Sequence, residues 1–385
     1  MSPAEPPSSN GAEVAARGGI LTIDLAALSA NFRLLKDRVS PAICAAVIKA
    51  DAYGLGVERV APALRRAGCD TFFVATLDEG ITARRLLPGA RILVFHGPMQ
   101  GEPEAFHRHR LIPVLNDPAQ IETWRGFCNS DAGETPPAAL HLDSGMNRLG
   151  LSHDQVERLA AHPDRLSGIE IGYVMSHLAC SEEADNPMNA VQLQRFNDLR
   201  GMRGPAKASI ANSSGIFLGP AYHLDLIRPG IALYGGNPTP GRPNPMAQVV
   251  RLQGKIVQCR RVDTDMTVGY GATHKISGPG RLATVAVGYA DGYLRAFSNT
   301  GFASVGGITV PIVGRISMDL LTLDVSNVAP ELTRPGCLVD LIGGSVSLDA
   351  AAAAAGTISY ELLTSLGVKS RRVYLSESFS KAVPQ

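Results

Sequence analysis

The chain has 385 residues, 45 % of them hydrophobic, and 36 basic residues stand against 35 acidic ones. This length supports two domains with real cores, and the even charge balance excludes nucleic acid or an anionic membrane as the main partner. A small anionic ligand stays open, because a local field needs no net charge.

Residues 1–18 are rich in Pro, Ser, Ala and Glu and lack the basic start and apolar core of a secretion signal, so they read as a disordered tail. No apolar stretch approaches the roughly 20 residues needed to span a membrane. The six cysteines (Cys44, Cys69, Cys128, Cys180, Cys259, Cys337) are dispersed, with no C-x-x-C pair and no zinc-like spacing. The expectation is a soluble protein of the reducing cytoplasm, without disulfides or metal.

From about Ile20 to Tyr234 short apolar runs alternate with amphipathic stretches. Ala42–Ile48, Thr71–Ala75, Arg91–Phe95, Ala138–Leu142, Gly168–Met175 and Lys207–Ala211 read as buried strands. Val57–Ala67, Asp78–Leu87, Asp117–Phe127, Ser152–Ala161 and Asn189–Gly201 read as helices, several opening at Asp, Ser or Asn caps. Repeated β-then-α units fit a parallel sheet, either an eight-unit barrel or an open doubly wound sheet. No G-x-G-x-x-G opens a helix after the first strand, which weakens a dinucleotide-binding reading. Polar residues instead recur at strand carboxyl ends, as a (β/α)8 barrel of the TIM type produces.

After Gly235 the pattern changes. Asn237 to Met246 carries four prolines and reads as a linker. Beyond it, Val249–Cys259, Arg281–Gly288, Ala303–Val313, Leu320–Val325 and Cys337–Ile342 read as strands, and Asp349–Gly356, with six consecutive alanines, as a helix. The barrel domain is set at 19–238 and a mostly β C-terminal domain at 239–385. The strand Gly19–Asp24 is also a candidate for the second domain.

The candidate chemistry starts at Lys49, which ends the first apolar run and is followed by A-D-A-Y-G-L-G, Ala50 to Gly56. Apolar surroundings disfavour an ammonium and yield the neutral amine that imine formation requires; the plain alternative is a solvated surface lysine. Tyr53 offers a hydroxyl to an anion at the same turn. D-S-G-M-N-R-L-G, Asp143 to Gly150, sets Arg148 on a strand-end loop, where it meets a ligand anion or pairs with Asp143. His177 in S-H-L-A stacks on a flat ring or sits hydrogen-bonded in the core. A-N-S-S-G-I-F puts Asn212, Ser213 and Ser214 at a helix start, an anion site or an ordinary cap. In I-R-P-G-I, Arg228 leaves a strand end, and Gly230 lets the amides of Gly230 and Ile231 approach a phosphate. An arginine, with a pKa above about 12, does not readily donate its proton to a ligand it faces. V-G-Y-G, Val268 to Gly271, places Tyr270 between glycines. G-Y-A-D-G-Y-L-R, G-R-I-S-M-D and S-Y-E complete the set.

In this order and spacing the segments from Ile20 to about Tyr374 resemble the alanine racemases, a family of homodimers that use pyridoxal 5'-phosphate (PLP). The resemblance implies a (β/α)8 barrel followed by a β domain that completes the partner's active site. It also implies interconversion of L- and D-alanine by two bases. Lys49 is similar to the PLP-bearing lysine and base for one face of Cα, and Tyr270 of the other subunit to the base for the opposite face. Tyr53, Ser213, Gly230, Ile231 and Tyr360 match phosphate-side positions, Asn212 a cofactor-binding position, Arg228 the pyridine-nitrogen arginine and His177 the ring-stacking histidine. Arg148 resembles the arginine beside the phenolic oxygen and the substrate carboxylate, and Met318 the residue whose amide holds that carboxylate. Glu182, Tyr289 and Arg295 match the lining of the access corridor.

Two positions depart from the family pattern. His141 stands where many members carry a lysine that becomes carbamylated and holds the arginine, and Ser317 stands where relatives often carry cysteine. Rival readings are a racemase of wider scope acting on serine or basic amino acids, a related PLP decarboxylase, and a PLP carrier. The resemblance implies D-alanine production, with peptidoglycan precursor supply and alanine catabolism both open as its use.

Overall fold

A computed structural model of the chain describes residues 18–130, 133–202, 206–367 and 369–376. Nearly all of the predicted tail, residues 1–17, therefore lies outside the described residues. Two compact units emerge: Leu25–Ala247, and the residues before Leu25 together with those from Gln248 onward.

The first described strand, β1 (Gly19–Asp24), buries every second residue, including Leu21 and Ile23. Such alternation marks a sheet with one covered face. β1 accordingly lies in the sheet of the second unit, so the barrel boundary at residue 19 is corrected to Leu25.

The first unit opens with helix α1 (Leu25–Val39), which buries Leu25, Leu28, Phe32, Leu35 and Val39 at helical spacing. Strand β2 comprises two short ladders, Ile43–Cys44 and Ala46–Val47. After it come α2 (Val57–Arg66), β3 (Thr71–Val74), α3 (Leu77–Leu86), β4 (Arg91–Val94) and α4 (Pro103–Arg108). Next are β5 (Ile112–Leu115), α5 (Pro118–Cys128), β6 (Ala138–His141), α6 (His153–Ala161), β7 (Ile171–Met175) and α7 (Met188–Gly201). The unit closes with β8 (Lys207–Ser209) and β9 (Leu226–Ile227).

Seven neighbours from β2 to β8 pair in parallel and in sequence order. The amides of Asp225 and Arg228 donate to Ala208 and Ala211 carbonyls, and β9 pairs with the Ile43–Cys44 half of β2. The sheet thus closes into an eight-stranded barrel, with β2, divided at Ala45, pairing with β9 through one half and with β3 through the other. Strands β3, β5 and β6 are buried along their whole length, as a sheet covered on both faces requires.

The second unit carries β10 (Val250–Val262), β11 (Met266–Val268), β12 (His274–Ile276), β13 (Gly280–Val285), β14 (Phe302–Val305) and β15 (Ile308–Pro311). It continues through β16 (Leu321–Asp324), β17 (Leu338–Ile342), the helices α8 (Leu348–Ala354) and α9 (Ser359–Ser365), and β18 (Arg371–Leu375). The long β10 runs beside β1, β13 and β17, with a register shift at Ile256/Gln258 that lets it serve more than one neighbour. The run Ala303–Val313, predicted as one strand, is a hairpin: Gly306 and Gly307, both at positive φ, turn β14 back onto β15.

Candidate active site

The loops at the carboxyl ends of the barrel strands bring together Lys49, Tyr53, Arg148, His177, Asn212, Ser213 and Arg228. Lys49 follows β2 and heads a short turn, Lys49–Tyr53. Residues Ala50 to Tyr53 all have φ between 52° and 57°. A left-handed backbone costs L-residues about 1–2 kcal/mol each, so four in a row need external anchors. The Glu79 carboxylate accepts from the Ala50 amide at 2.7 Å and, through its other oxygen, from Ala75 at 2.7 Å. Asp51 Oδ1 accepts from Val57 N at 2.7 Å, and Gly54 N donates back to Ala50 O.

The Lys49 ammonium lies 6.0 Å from the centre of the Phe95 ring. Although the residue keeps exposed surface, its head loses solvation at the barrel mouth. That loss, with the Arg148 charge adding, lowers its pKa from the usual lysine value, while Glu79 acts in the opposite sense. The direction is that required of an amine that must lose its proton.

Tyr53 is buried and stacks on Tyr234 with ring centres 4.6 Å apart, and Tyr234 Oη donates to Val47 O. Burial raises the pKa of both phenols, so they stand as neutral hydroxyls. A Cβ on Gly230 would lie 2.1 Å from Tyr53 Oη. Close approach, rather than an unusual φ, is thus what calls for glycine there. The Gly230 and Ala232 amides converge on Ser213 Oγ at 2.9 and 3.3 Å. Asn212 is committed to the turn itself, its Oδ1 accepting from Ser181 Oγ and Gly215 N. The predicted helix start at this point is only a single 3-10 turn, Gly215–Phe217.

Arg228 is 3 % exposed. Its Nη2 donates to the carbonyls of Ser176 and Ile210, whereas Nε and Nη1 are buried with no hydrogen-bond partner among the described residues. Burial lowers its pKa to about 9, which leaves it a cation at neutral pH. Loss of solvation, then the charges of Arg228 and Arg148, pushes His177 well below the usual histidine range, so its ring is neutral.

Arg148 is exposed on the loop after β6. Asp143 accepts from the amides of Gly145, Met146 and Asn147 and so fixes the bend of that loop. Beneath it His141 is buried, with Nδ1 2.8 Å from Asn116 Oδ1. Because the Asn116 amide nitrogen donates to Phe95 O and Val114 O, its oxygen faces His141, and Nδ1 carries the proton. Burial first, with Arg228 and Arg148 adding, lowers the His141 pKa to about 4. The His141 ring is therefore neutral in the folded chain. Glu182 is exposed on the loop after β7.

The β unit, taken by itself, presents Tyr270 at the tip of the β11–β12 hairpin between Gly269 and Gly271, both at positive φ. Tyr270 is 71 % exposed and Met318 55 %. The loop of Met318 is held by that of Tyr289: Tyr289 N donates to Ser317 O and Ala290 N to Met318 O. Arg295 starts a short turn, and Tyr360 lies half-buried on α9. Sequence reasoning missed Glu79 and Asn116, whose partners lie 29 and 25 residues away. It also missed Arg315, whose Nη1 would touch a Cβ at Gly271 beside Tyr270.

A closed parallel barrel with a lysine-centred mouth, joined in sequence to a β unit bearing an exposed tyrosine, defines a two-domain class of barrel enzyme. The family models of the alanine racemase N-terminal and C-terminal domains match residues 23–238 and 249–374. The chain is 51 % identical over 357 residues to an alanine racemase of Rhodospirillum rubrum, covering 92 % of this chain and 95 % of the relative. It is 50 % identical to a catabolic alanine racemase of Mesorhizobium japonicum, over 94 % of both chains. Among solved structures, alanine racemase from Bartonella henselae with covalently bound pyridoxal phosphate superposes with a TM-score of 0.89 at 39 % identity, covering 93 % of this chain and 99 % of that one. The chain belongs to the alanine racemase family. Membership sets aside the decarboxylase and carrier readings.

Proposed function

We propose that the protein is a PLP-dependent alanine racemase that works as a homodimer with shared active sites. The observation that carries this reading is Arg228: two buried donors without partners, held on a cation, at one side of the barrel mouth. A flat ring with an unprotonated nitrogen fits those donors. Two residues on from Arg228, Tyr53 Oη lies against Gly230 and Ser213 Oγ gathers the Gly230 and Ala232 amides, a cluster of the groups that bind phosphate.

In this reading Lys49 holds the cofactor covalently. Tyr53, Ser213, Gly230, Ile231 and Tyr360 bind its phosphate, with Asn212 setting the turn that carries Ser213. His177 would lie against its ring, and Arg228 would pair with its nitrogen. When bound, the cofactor supplies a conjugated ring that withdraws electrons from Cα of the attached amino acid. Arg228 keeps its proton and so restrains that withdrawal, which favours return of a proton over side reactions. Arg148 and the Met318 amide orient the substrate carboxylate. Once the substrate amine has displaced it from the cofactor, the freed Lys49 Nζ would take the Cα proton on one face, and Tyr270 Oη of a second copy would deliver a proton on the other. The exposure of Tyr270 and Met318 in the single chain supports their use by another subunit. Glu182, Tyr289 and Arg295 line the way in.

Among the described residues no helix is long and apolar enough to cross a membrane. The six free thiols support a reducing compartment, and we assign the cytoplasm. The test is a Tyr270→Phe variant loaded with PLP. Racemisation should fall about 10²–10⁴-fold, the usual worth of a positioned acid or base, while exchange of the Cα hydrogen facing Lys49 persists. Equal loss of exchange from both enantiomers would remove the face-specific role.

A further inference from the structure

Glu79 stands in the first turn of α3, where with Thr76 it forms a capping box. In an ordinary capping box the carboxylate reaches back to the amide of the cap residue and is then spent. Here Oε2 serves that purpose, accepting from Thr76 N at 3.3 Å and from Ala75 N at 2.7 Å. Oε1 points across to the end of β2 and accepts from Ala50 N at 2.7 Å. One half-buried carboxylate therefore ties two neighbouring strand ends together at the residue after Lys49. That residue also begins the four-residue left-handed stretch, the least favourable backbone of the barrel mouth.

We propose that Glu79 is a positioning residue for Lys49, its carboxylate holding the left-handed turn from which the lysine projects into the barrel mouth. The role rests on Lys49 being the PLP-bearing lysine. Geometry is half of it. The other half is charge: Glu79 and Arg148 flank the Lys49 amine with opposite signs, and neutral His177 adds none. Loss of solvation leads the shift of the Lys49 amine, and on top of it Arg148 favours the free amine while Glu79 favours the ammonium, so removing either charge moves the pH at which Lys49 becomes nucleophilic.

The test compares Glu79→Gln with Thr76→Ala in the full chain, measuring kcat for alanine in both directions, the pH dependence of PLP uptake by the stripped protein, and Tm. Glu79→Gln should lower kcat about 10–100-fold, the scale of a small misplacement of a reacting group, and move the acid limb of PLP uptake to lower pH. Thr76→Ala, which breaks the cap but leaves Glu79 on Ala50, should lower Tm and leave kcat and the acid limb within about twofold of wild type. If Glu79→Gln only lowers Tm, as a lost cap would, Glu79 is structural and the proposal fails. Should Glu79→Gln not fold, Glu79→Asp decides: kcat should fall with the acid limb unmoved, and unchanged kcat overturns the role. Failure of the wild-type chain to take up PLP or racemise alanine would instead defeat the proposed function.

Discussion

At Gly230 the barrel mouth leaves no room for a single methyl group, because a Cβ would sit 2.1 Å from Tyr53 Oη. Gly230→Ala must displace a tyrosine that is itself stacked on Tyr234. PLP affinity should fall at least about tenfold, with a stability loss of about 1–3 kcal/mol, both read by cofactor titration and urea unfolding. The buried histidine makes a separate prediction. His141 is neutral in the folded chain down to about pH 4, whereas an unfolded histidine takes up its proton near pH 6.5. The unfolded state therefore binds more protons between those values, so stability is intact above about pH 6.5 and is lost as pH falls toward 4. His177, shifted the same way, deepens the effect. Thermal melts from pH 7.5 to 4.5 should show this decline, and His141→Asn should flatten it; an unchanged slope would mean that His141 titrates normally.

At the level of elements, loops are fixed by side chains that gather backbone groups. Arg84 on α3 donates to the carbonyls of Leu87, Pro88, Ala90, His109 and Arg110, and so joins the ends of α3 and α4 to the start of β4. Arg84→Ala should cost about 2 kcal/mol or more in urea unfolding, since several carbonyls lose a charged donor at once. Barrel strands such as Thr71–Val74 and Ala138–His141 were legible in the sequence because burial on both faces writes an unbroken apolar run. Strand β5 was missed, since Pro113 interrupts a run of only four residues, and β9 was too short to stand out beyond the residues leading to Arg228. The β11–β12 hairpin escaped because its two strands have only three residues each. Lys49, Arg228 and Tyr270 stood out as candidates from local strings. The Glu79–Ala50 and Asn116–His141 contacts did not, because the pairing of neighbouring strands creates them and no local spacing encodes them.

For the whole molecule, the proposed shared site would make activity a property of pairs of chains. A Lys49→Ala chain and a Tyr270→Phe chain are each expected to be inactive alone. Mixed and allowed to exchange, they form hybrid dimers with one intact Lys49–Tyr270 site, and about a quarter of wild-type activity should return if a two-fold dimer pairs at random. No recovery despite proven exchange would place both bases in one chain. The most direct measurement is made on the PLP-loaded wild-type chain in D2O with L-alanine, following Cα deuterium by NMR and chirality by circular dichroism. The expected result is deuterium at Cα with equal amounts of L- and D-alanine at equilibrium. Bound PLP with neither deuterium nor D-alanine would contradict a racemase built on Lys49 and Tyr270.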